Sequence, residues 1–387
     1  MLALLLSACA APPETPEPEE ESAPLLEKIQ LPRKKPGGVK GLLKDMTLEE
    51  KVGQLFFVQV PAKDALEDVT AYHLGGYLLF GRDTRDKTAS ELILTLDAWQ
   101  RAAEADTGIP LLIGVDEEGS TVVRVSSNPH LRSRRFSNPR KLWTAGPEAL
   151  EAETHEKNQL LRALGINVNL NPVADVSTNP QDFMYDRTTG GDAETAAAYT
   201  AQVVELQKQD SVGSVLKHFP GYGNNGDTHT GTVVDLRPLE TFRGQDFLPF
   251  QAGLAAAEGT AAVLVSHNIV SCMDPELPAS LSPEVHRILR QELGFDGVVM
   301  TDDLAMEAVA AYAADGNVAV MSLQAGNDLL VTVDYRNQIP RVIKAVQNGV
   351  LPESAVDTAC LRVLRWKEAL GLLERPEAGT LEPAARP

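Results

Sequence analysis

The chain has 387 residues, 43% of them hydrophobic and 23% charged, with three cysteines. That length suits one barrel of about 250 residues with additions, or two smaller domains. The formal net charge of −19 argues against a nucleic-acid partner, since phosphate binding needs a basic face, and reads as solubility.

Met1 to Ala8 is short and apolar and ends Leu6-Ser7-Ala8-Cys9. A small residue before a cysteine at the end of an apolar run is similar to a bacterial lipobox, which makes Cys9 the expected lipidation site and anchors the protein outside the cell membrane. No basic stretch precedes the run, so an earlier true start is expected. The run is too short to span a bilayer as a permanent helix. Residues 10–38 are rich in Pro and Glu and read as an extended, solvated tether. Besides Cys9, Cys272 and Cys360 are able to pair, although two buried, reduced thiols are the preferred reading.

The folded part is expected at 39–375. Thr47-Leu48-Glu49-Glu50 reads as a capping box, opening a short helix into a first strand within Val52 to Val60. Further strands are read at Gly75 to Phe80, Pro110 to Val115 and Asn167 to Val176. Four more follow at Gly213 to His218, Ala261 to Val265, Gly297 to Met300 and Asp328 to Val333. Helical patterns fill the gaps: Thr88 to Glu104, Pro147 to Gly165, Ala193 to Gln209, Phe242 to Glu258, Pro283 to Leu293 and Asn317 to Ala325. The chain is then read as helical to about Leu373. Continuous apolar strands alternating with helices mean a parallel sheet covered on both faces. Eight units favour an α/β fold of the closed (β/α)8 TIM type, without a large second domain. No Gly-x-Gly-x-x-Gly follows the first strand, which weakens a dinucleotide-binding alternative. Residues 376–387 read as a disordered tail.

The organising stretch is Lys217-His218-Phe219-Pro220-Gly221-Tyr222-Gly223-Asn224-Asn225-Gly226-Asp227-Thr228-His229. An apolar run, Val212 to Leu216, meets a Lys-His pair. A loop with three glycines then ends on an acid and a histidine two positions apart. Barrel enzymes present catalytic groups in this way, at the carboxyl ends of their strands. The stretch resembles the KHFPGHG…D-S-H signature of glycoside hydrolase family 3, in its N-acetyl-β-hexosaminidase branch. Met46-Thr47-Leu48-Glu49-Glu50-Lys51 is similar to the start of that family's catalytic domain.

Other strand ends carry further candidates. Asp116, Glu117 and Glu118 repel one another unless something binds there; a solvated acidic loop is the bland alternative. The resemblance implies that Asp116 grips sugar hydroxyls and that Arg124 lines the site. Ser120 and Thr121 replace the family's usual glycine and arginine. Asp175 is read as structural, bonding loop backbone. Arg187 is, from its residue type, evenly an ion pair or a ligand contact; the resemblance makes it a substrate contact. Lys217 and His218 are costly to bury unpaired, and in the family they bond sugar hydroxyls. Asp227 and His229 read as a metal pair, as loop residues or as an acid/base dyad. An aspartate on one imidazole nitrogen fixes the tautomer and raises the basicity of the other. The resemblance selects the dyad, with His229 replacing the usual second carboxylate. His267 reads equally as facing the pocket or as a satisfied core histidine. Asp302 and Asp303 end the seventh strand; the residues alone leave both open, and the [ST]-D-x-L-x-M pattern places the nucleophile on Asp302, with Asp303 capping the next helix.

The expected activity is retaining removal of a terminal β-linked N-acetylglucosamine from peptidoglycan fragments or other amino-sugar glycans. The expected chemistry needs no cofactor and no metal. The alternatives are a β-glucosidase or β-xylosidase, a glycoside phosphorylase, or a non-catalytic wall-binding lipoprotein.

Overall fold

A computed structural model describes residues 38–228, 231–313 and 318–373. The expected leader with Cys9, the tether up to residue 37, Asn317, the tail and His229 lie outside them. Eight strands form one parallel sheet: β1 (Phe56–Gln59), β2 (Gly76–Leu79), β3 (Leu112–Val115), β4 (Val168–Asn169), β5 (Gly213–Phe219), β6 (Ala261–Val265), β7 (Val299–Thr301) and β8 (Leu330–Thr332). Each neighbours the next in chain order, and β8 returns to β1 with Phe56 opposite Leu330. A Met300–Leu329 bridge joins the last two, where the Thr301 N–H donates to the Leu329 carbonyl (3.1 Å). The sheet is thus a (β/α)8 barrel, as the alternation of apolar runs and helices predicts. Strands β2, β3, β5 and β6 are buried along their whole length, because helices cover the outside and side chains fill the inside.

Local chemistry sets the helix starts. Thr47 accepts from the Glu50 N–H (3.2 Å), and Glu50 returns the bond to the Thr47 N–H (2.7 Å). The predicted capping box is present, and its helix runs to Gln54, so β1 begins later than the apolar pattern suggests. Helix Ala193–Gln209 has the predicted bounds. The stretch from Phe242 divides into a π-turn, Phe242–Asp246, and an α-helix, Phe247–Ala257. Phe219 in β5 locks that helix down: its ring stacks on Phe247 (5.6 Å) and meets Phe250 edge-on (5.2 Å). Each such pair adds about 0.5–1.5 kcal/mol beyond the area it buries.

Three expectations need correction. The fourth strand shrinks to two residues, because Pro172 has no N–H to donate to a ladder; the Asn171–Pro172 peptide is cis. The helical stretch after β8 is two helices, Tyr335–Gln347 and Glu353–Ala369, with Gly349 and Pro352 between them. Cys360 is buried but Cys272 is exposed, and both thiols are free; Cys272 lies in the turn after the short strand Ile269–Val270.

Candidate active site

The site stands at the carboxyl ends of the barrel strands. Asp116 follows β3, Arg187 lies in the loop after β4, Lys217 and His218 belong to the end of β5, and Asp302 follows β7. The run of three acids after β3 divides its labour. Glu117 is fully buried and pins its own loop. Its carboxylate accepts the backbone N–H groups of Arg124 (2.8 Å), Val125 (2.7 Å) and Ser126 (3.2 Å), and the Ser126 hydroxyl. Asn169 in β4 holds its backbone from the other side. Glu118 is equally buried and meets two cations. Arg187 forks onto it, with Nε to Oε2 at 2.9 Å and Nη2 to Oε1 at 2.7 Å. Lys217 Nζ lies 2.6 Å from Glu118 Oε1 and 2.6 Å from Asp116 Oδ1. Burial pushes the Glu118 carboxyl up, but the Arg187 and Lys217 charges hold it well below the usual carboxylate range. Burial likewise opposes the Arg187 charge, and Glu118 outweighs it and raises that group above an ordinary arginine.

The acids are therefore not a solvated loop. Glu118 is what the sequence reading missed. The signal was present, since three adjacent carboxylates need counter-charge, and Arg187 and Lys217 supply it.

His218 joins the cluster through Arg187, whose Nη2 donates to its Nε2 (3.3 Å). Its Nδ1 lies 2.8 Å from Asp175 Oδ2. A guanidinium only donates, so Nε2 is the accepting nitrogen and Nδ1 carries the hydrogen. Asp175 also accepts the Tyr222 N–H (2.7 Å) and the His218 N–H (3.3 Å), which is the backbone-bonding role expected of it. The Lys217–His218 and Phe219–Pro220 peptides are cis.

The Arg124 guanidinium makes no hydrogen bond to this cluster among the described residues; the residue is held by its backbone N–H on Glu117. Its guanidinium stands 5.8 Å from the centroid of the Phe80 ring at the end of β2, and its buried Nε lacks a protein partner. His267 is fully buried. Its Nδ1 meets the Ser280 hydroxyl (2.7 Å) and its Nε2 donates to the Asp303 carbonyl (3.0 Å), so it props the turn behind Asp302.

Asp302 is fixed at its backbone by the Val265 carbonyl at the end of β6 (3.0 Å) and accepts the Asp303 N–H at Oδ1 (2.8 Å). Asp303 takes the amide of Gln59 from β1 and the Ala305 N–H (2.9 Å). It caps the tight turn at 303–306; the following helix, Glu307–Ala310, has Met306 at its N-cap position instead. Burial raises the Asp303 carboxyl, and the neighbouring Asp302 adds to that.

Tyr222 links the loop after β5 to both sides. Its ring packs edge-on to His218 (5.4 Å), and its hydroxyl meets the Thr228 hydroxyl (2.7 Å), beside Asp227. Burial pushes its phenol up to about 12; the Thr228 hydrogen bond works against that, and the nearby Asp302 and Asp175 charges add to it. Asp227 lies half-buried on this loop. His229 lies just outside the described residues.

Comparison with known proteins agrees with this arrangement. The family description "Glycosyl hydrolase family 3 N terminal domain" matches residues 47–366. The chain is 33% identical over 355 residues to a protein named beta-hexosaminidase LpqI from Mycobacterium tuberculosis, covering 88% of this chain and 87% of that one. It is 34% identical over 306 residues to a beta-hexosaminidase of Stenotrophomonas maltophilia, covering 77% and 86%. A solved glycoside hydrolase family 3 beta-N-acetylglucosaminidase from a Paenibacillus species superposes with a TM-score of 0.79 at 31% identity, over 88% of this chain and 65% of that one. With the barrel and the strand-end cluster in place, the match across residues 47–366 makes this chain a member of glycosyl hydrolase family 3, and a glycosidase.

Proposed function

We propose that the chain removes terminal β-linked N-acetylglucosamine with retention of configuration, as the names of its relatives suggest. The observation that carries the reading is the convergence of four strand ends, β3, β4, β5 and β7. The charge of Asp302 beyond β7 acts on the Tyr222 phenol of the loop beyond β5, and Tyr222 packs on His218, which bonds the Arg187 of the Glu118 cluster. Asp302 attacks the anomeric carbon and the bond to the leaving oxygen breaks, giving a glycosyl-enzyme. His229, oriented by Asp227, gives its proton to that oxygen and then takes one from the water that attacks the anomeric carbon, breaking its bond to Asp302 and freeing the carboxylate. Asp116, Lys217, His218, Arg187 and Arg124 hold the sugar hydroxyls; a carboxylate accepts two such bonds, and the cations donate. No cofactor enters this chemistry.

The natural substrates in this reading are peptidoglycan-derived or other amino-sugar glycans, met outside the membrane by a protein anchored through Cys9. Release of Cys9→Ser from the membrane fraction is the outcome the anchor requires, and continued retention would refute it.

The deciding experiment is cleavage of an aryl N-acetyl-β-glucosaminide beside an aryl β-glucoside, with and without phosphate. Release from the amino sugar alone, indifferent to phosphate, is expected. Preference for the glucoside refutes the substrate, and a sugar 1-phosphate product refutes the hydrolysis.

A further inference from the structure

The loop after β5 rests on an ion cluster that the proposed chemistry does not use. Arg237 forks onto Asp235, with Nε at 3.1 and 3.0 Å from the two carboxylate oxygens and Nη2 at 2.8 Å from Oδ2. Its Nη1 meets both oxygens of Asp246, at 3.1 and 3.0 Å. Its Nη2 also donates to the Gly221 carbonyl (3.1 Å). Both carboxylates are 1% exposed. Asp235 takes two more bonds, from the Arg237 backbone N–H (2.9 Å) and from the Asn225 amide (2.7 Å), which also donates to the Tyr222 carbonyl (2.8 Å).

The loop backbone lies directly on this cluster. A Cβ on Gly221, at φ +124°, would fall 2.3 Å from Asp246 Oδ1, and one on Gly223, at φ +57°, would fall 2.4 Å from Arg237 Cζ. Only glycine takes these conformations and this approach without strain.

The cluster is anchored on two sides. Asp235 belongs to the short strand Val234–Asp235, which pairs with Ile269–Val270 beyond β6, and Asp246 ends the π-turn before the helix Phe247–Ala257. Burial pushes the Asp246 carboxyl up to about 7 against the pull of Arg237. Such a pair is costly to bury and a weak source of stability. Its effect is to fix where the loop lies.

We propose that Arg237, held by Asp235 and Asp246, is a positioning residue for proton transfer: it seats the loop at 221–228, which carries Asp227 and leads into His229. The inference rests on the reading that Asp227 and His229 deliver the proton.

The test compares Arg237→Met, Arg237→Lys and Gly223→Ala with the unaltered chain on two β-glycosides of one sugar, one aryl and activated, one alkyl. Departure of the alkyl oxygen depends on the donated proton. Arg237→Met should lose roughly 10²-fold in kcat on the alkyl glycoside and under about 5-fold on the aryl one, with KM unchanged. Arg237→Lys should recover part of the loss. Gly223→Ala leaves every charge in place but lifts the backbone off the guanidinium, and should reproduce the split. A merely structural role would lower the melting temperature and reduce turnover of both glycosides alike; losses that are equal on the aryl and the alkyl glycoside, in Arg237→Met and in Gly223→Ala, overturn the proposal. His229→Ala, run alongside, tests the underlying reading separately: equal loss on both glycosides there removes histidine as the donor, whatever Arg237 does.

Discussion

Two buried carboxylates stand at opposite ends of the barrel, each between two cations. Glu118, at the carboxyl ends of the strands, meets Arg187 and Lys217. Asp328, just before β8, meets Arg290 (2.5 Å) and Arg362 (3.1 Å). The composition is alike and the outcome is opposite. Glu118 is held well below the usual carboxylate range, whereas burial leaves Asp328 raised in spite of its two arginines. The number of cation contacts accounts for it. Arg187 gives Glu118 a two-pronged fork, and Lys217 adds a 2.6 Å contact. Arg290 also serves the carbonyls of Phe295 and Gly297, and Arg362 also serves Asp296. Three close cation contacts maintain an ionised cluster at the carboxyl ends of the strands. Single contacts from Arg290 and Arg362 tie helices to the barrel floor, where barrels keep stability rather than chemistry.

The comparison breaks most sharply at Asp302. Asp302→Ala should lose at least about 10³-fold in turnover of an aryl N-acetyl-β-glucosaminide while melting as the unaltered chain does. Near-normal turnover would move the chemistry away from β7. Glu118→Gln comes next, because it removes the counter-charge of two buried cations. That should cost about 3–5 kcal/mol of stability and lower kcat/KM by roughly 10²-fold, since Arg187 and Lys217 lose their fixed places. Thermal melts and kinetics on the same preparation check both. Loss of stability alone would make the upper cluster no different from the lower one.

Asp328→Asn sharpens the contrast from the other end. It keeps the shape of the group and most of its hydrogen bonds, so a loss of about 1–3 kcal/mol is expected, with kcat per folded molecule unchanged. A fall in kcat would place the barrel floor in the catalytic machinery.

The sequence speaks differently of the two ends. The upper one is legible where an apolar run stops at a charge: Lys217 after Leu216, Asp116 after Val115, Asp302 after Thr301. Spacing alone shows these, because a strand end is local. Glu118 facing Arg187 is not local, since the partners lie 69 residues apart and only the closed barrel brings them together. The seat made by Arg237 and Asp246 is hidden for a related reason. Gly221 and Gly223 announce a tight loop, but not what lies beneath it. The shortened β4 follows from Pro172, whose missing N–H outweighed the apolar pattern around it.

Lys367 carries the smallest expected effect and the clearest sign. It is fully buried in the helix Glu353–Ala369, where its Nζ donates to Gln54 Oε1 (2.7 Å) and the Pro110 carbonyl (2.7 Å). These partners are neutral, unlike the carboxylates that meet Lys217. Burial accordingly lowers its pKa to about 7 from an ordinary 10.5. Between those values the unfolded chain binds a proton that the folded chain refuses, so this lysine makes folding more favourable as pH rises from about 7 towards 10. Lys367→Met abolishes that slope. At neutral pH two effects oppose each other: the cost of burying an ammonium disappears, but two acceptors lose their donor, at about 1–3 kcal/mol. The net change there should be within about 1 kcal/mol. Towards pH 9 the first effect shrinks while the second stays, so the melting temperature of Lys367→Met should fall progressively below that of the unaltered chain. A difference that stays constant from pH 7 to 9 would mean that the folded protein keeps this lysine charged, and that the barrel floor tolerates an unpaired cation.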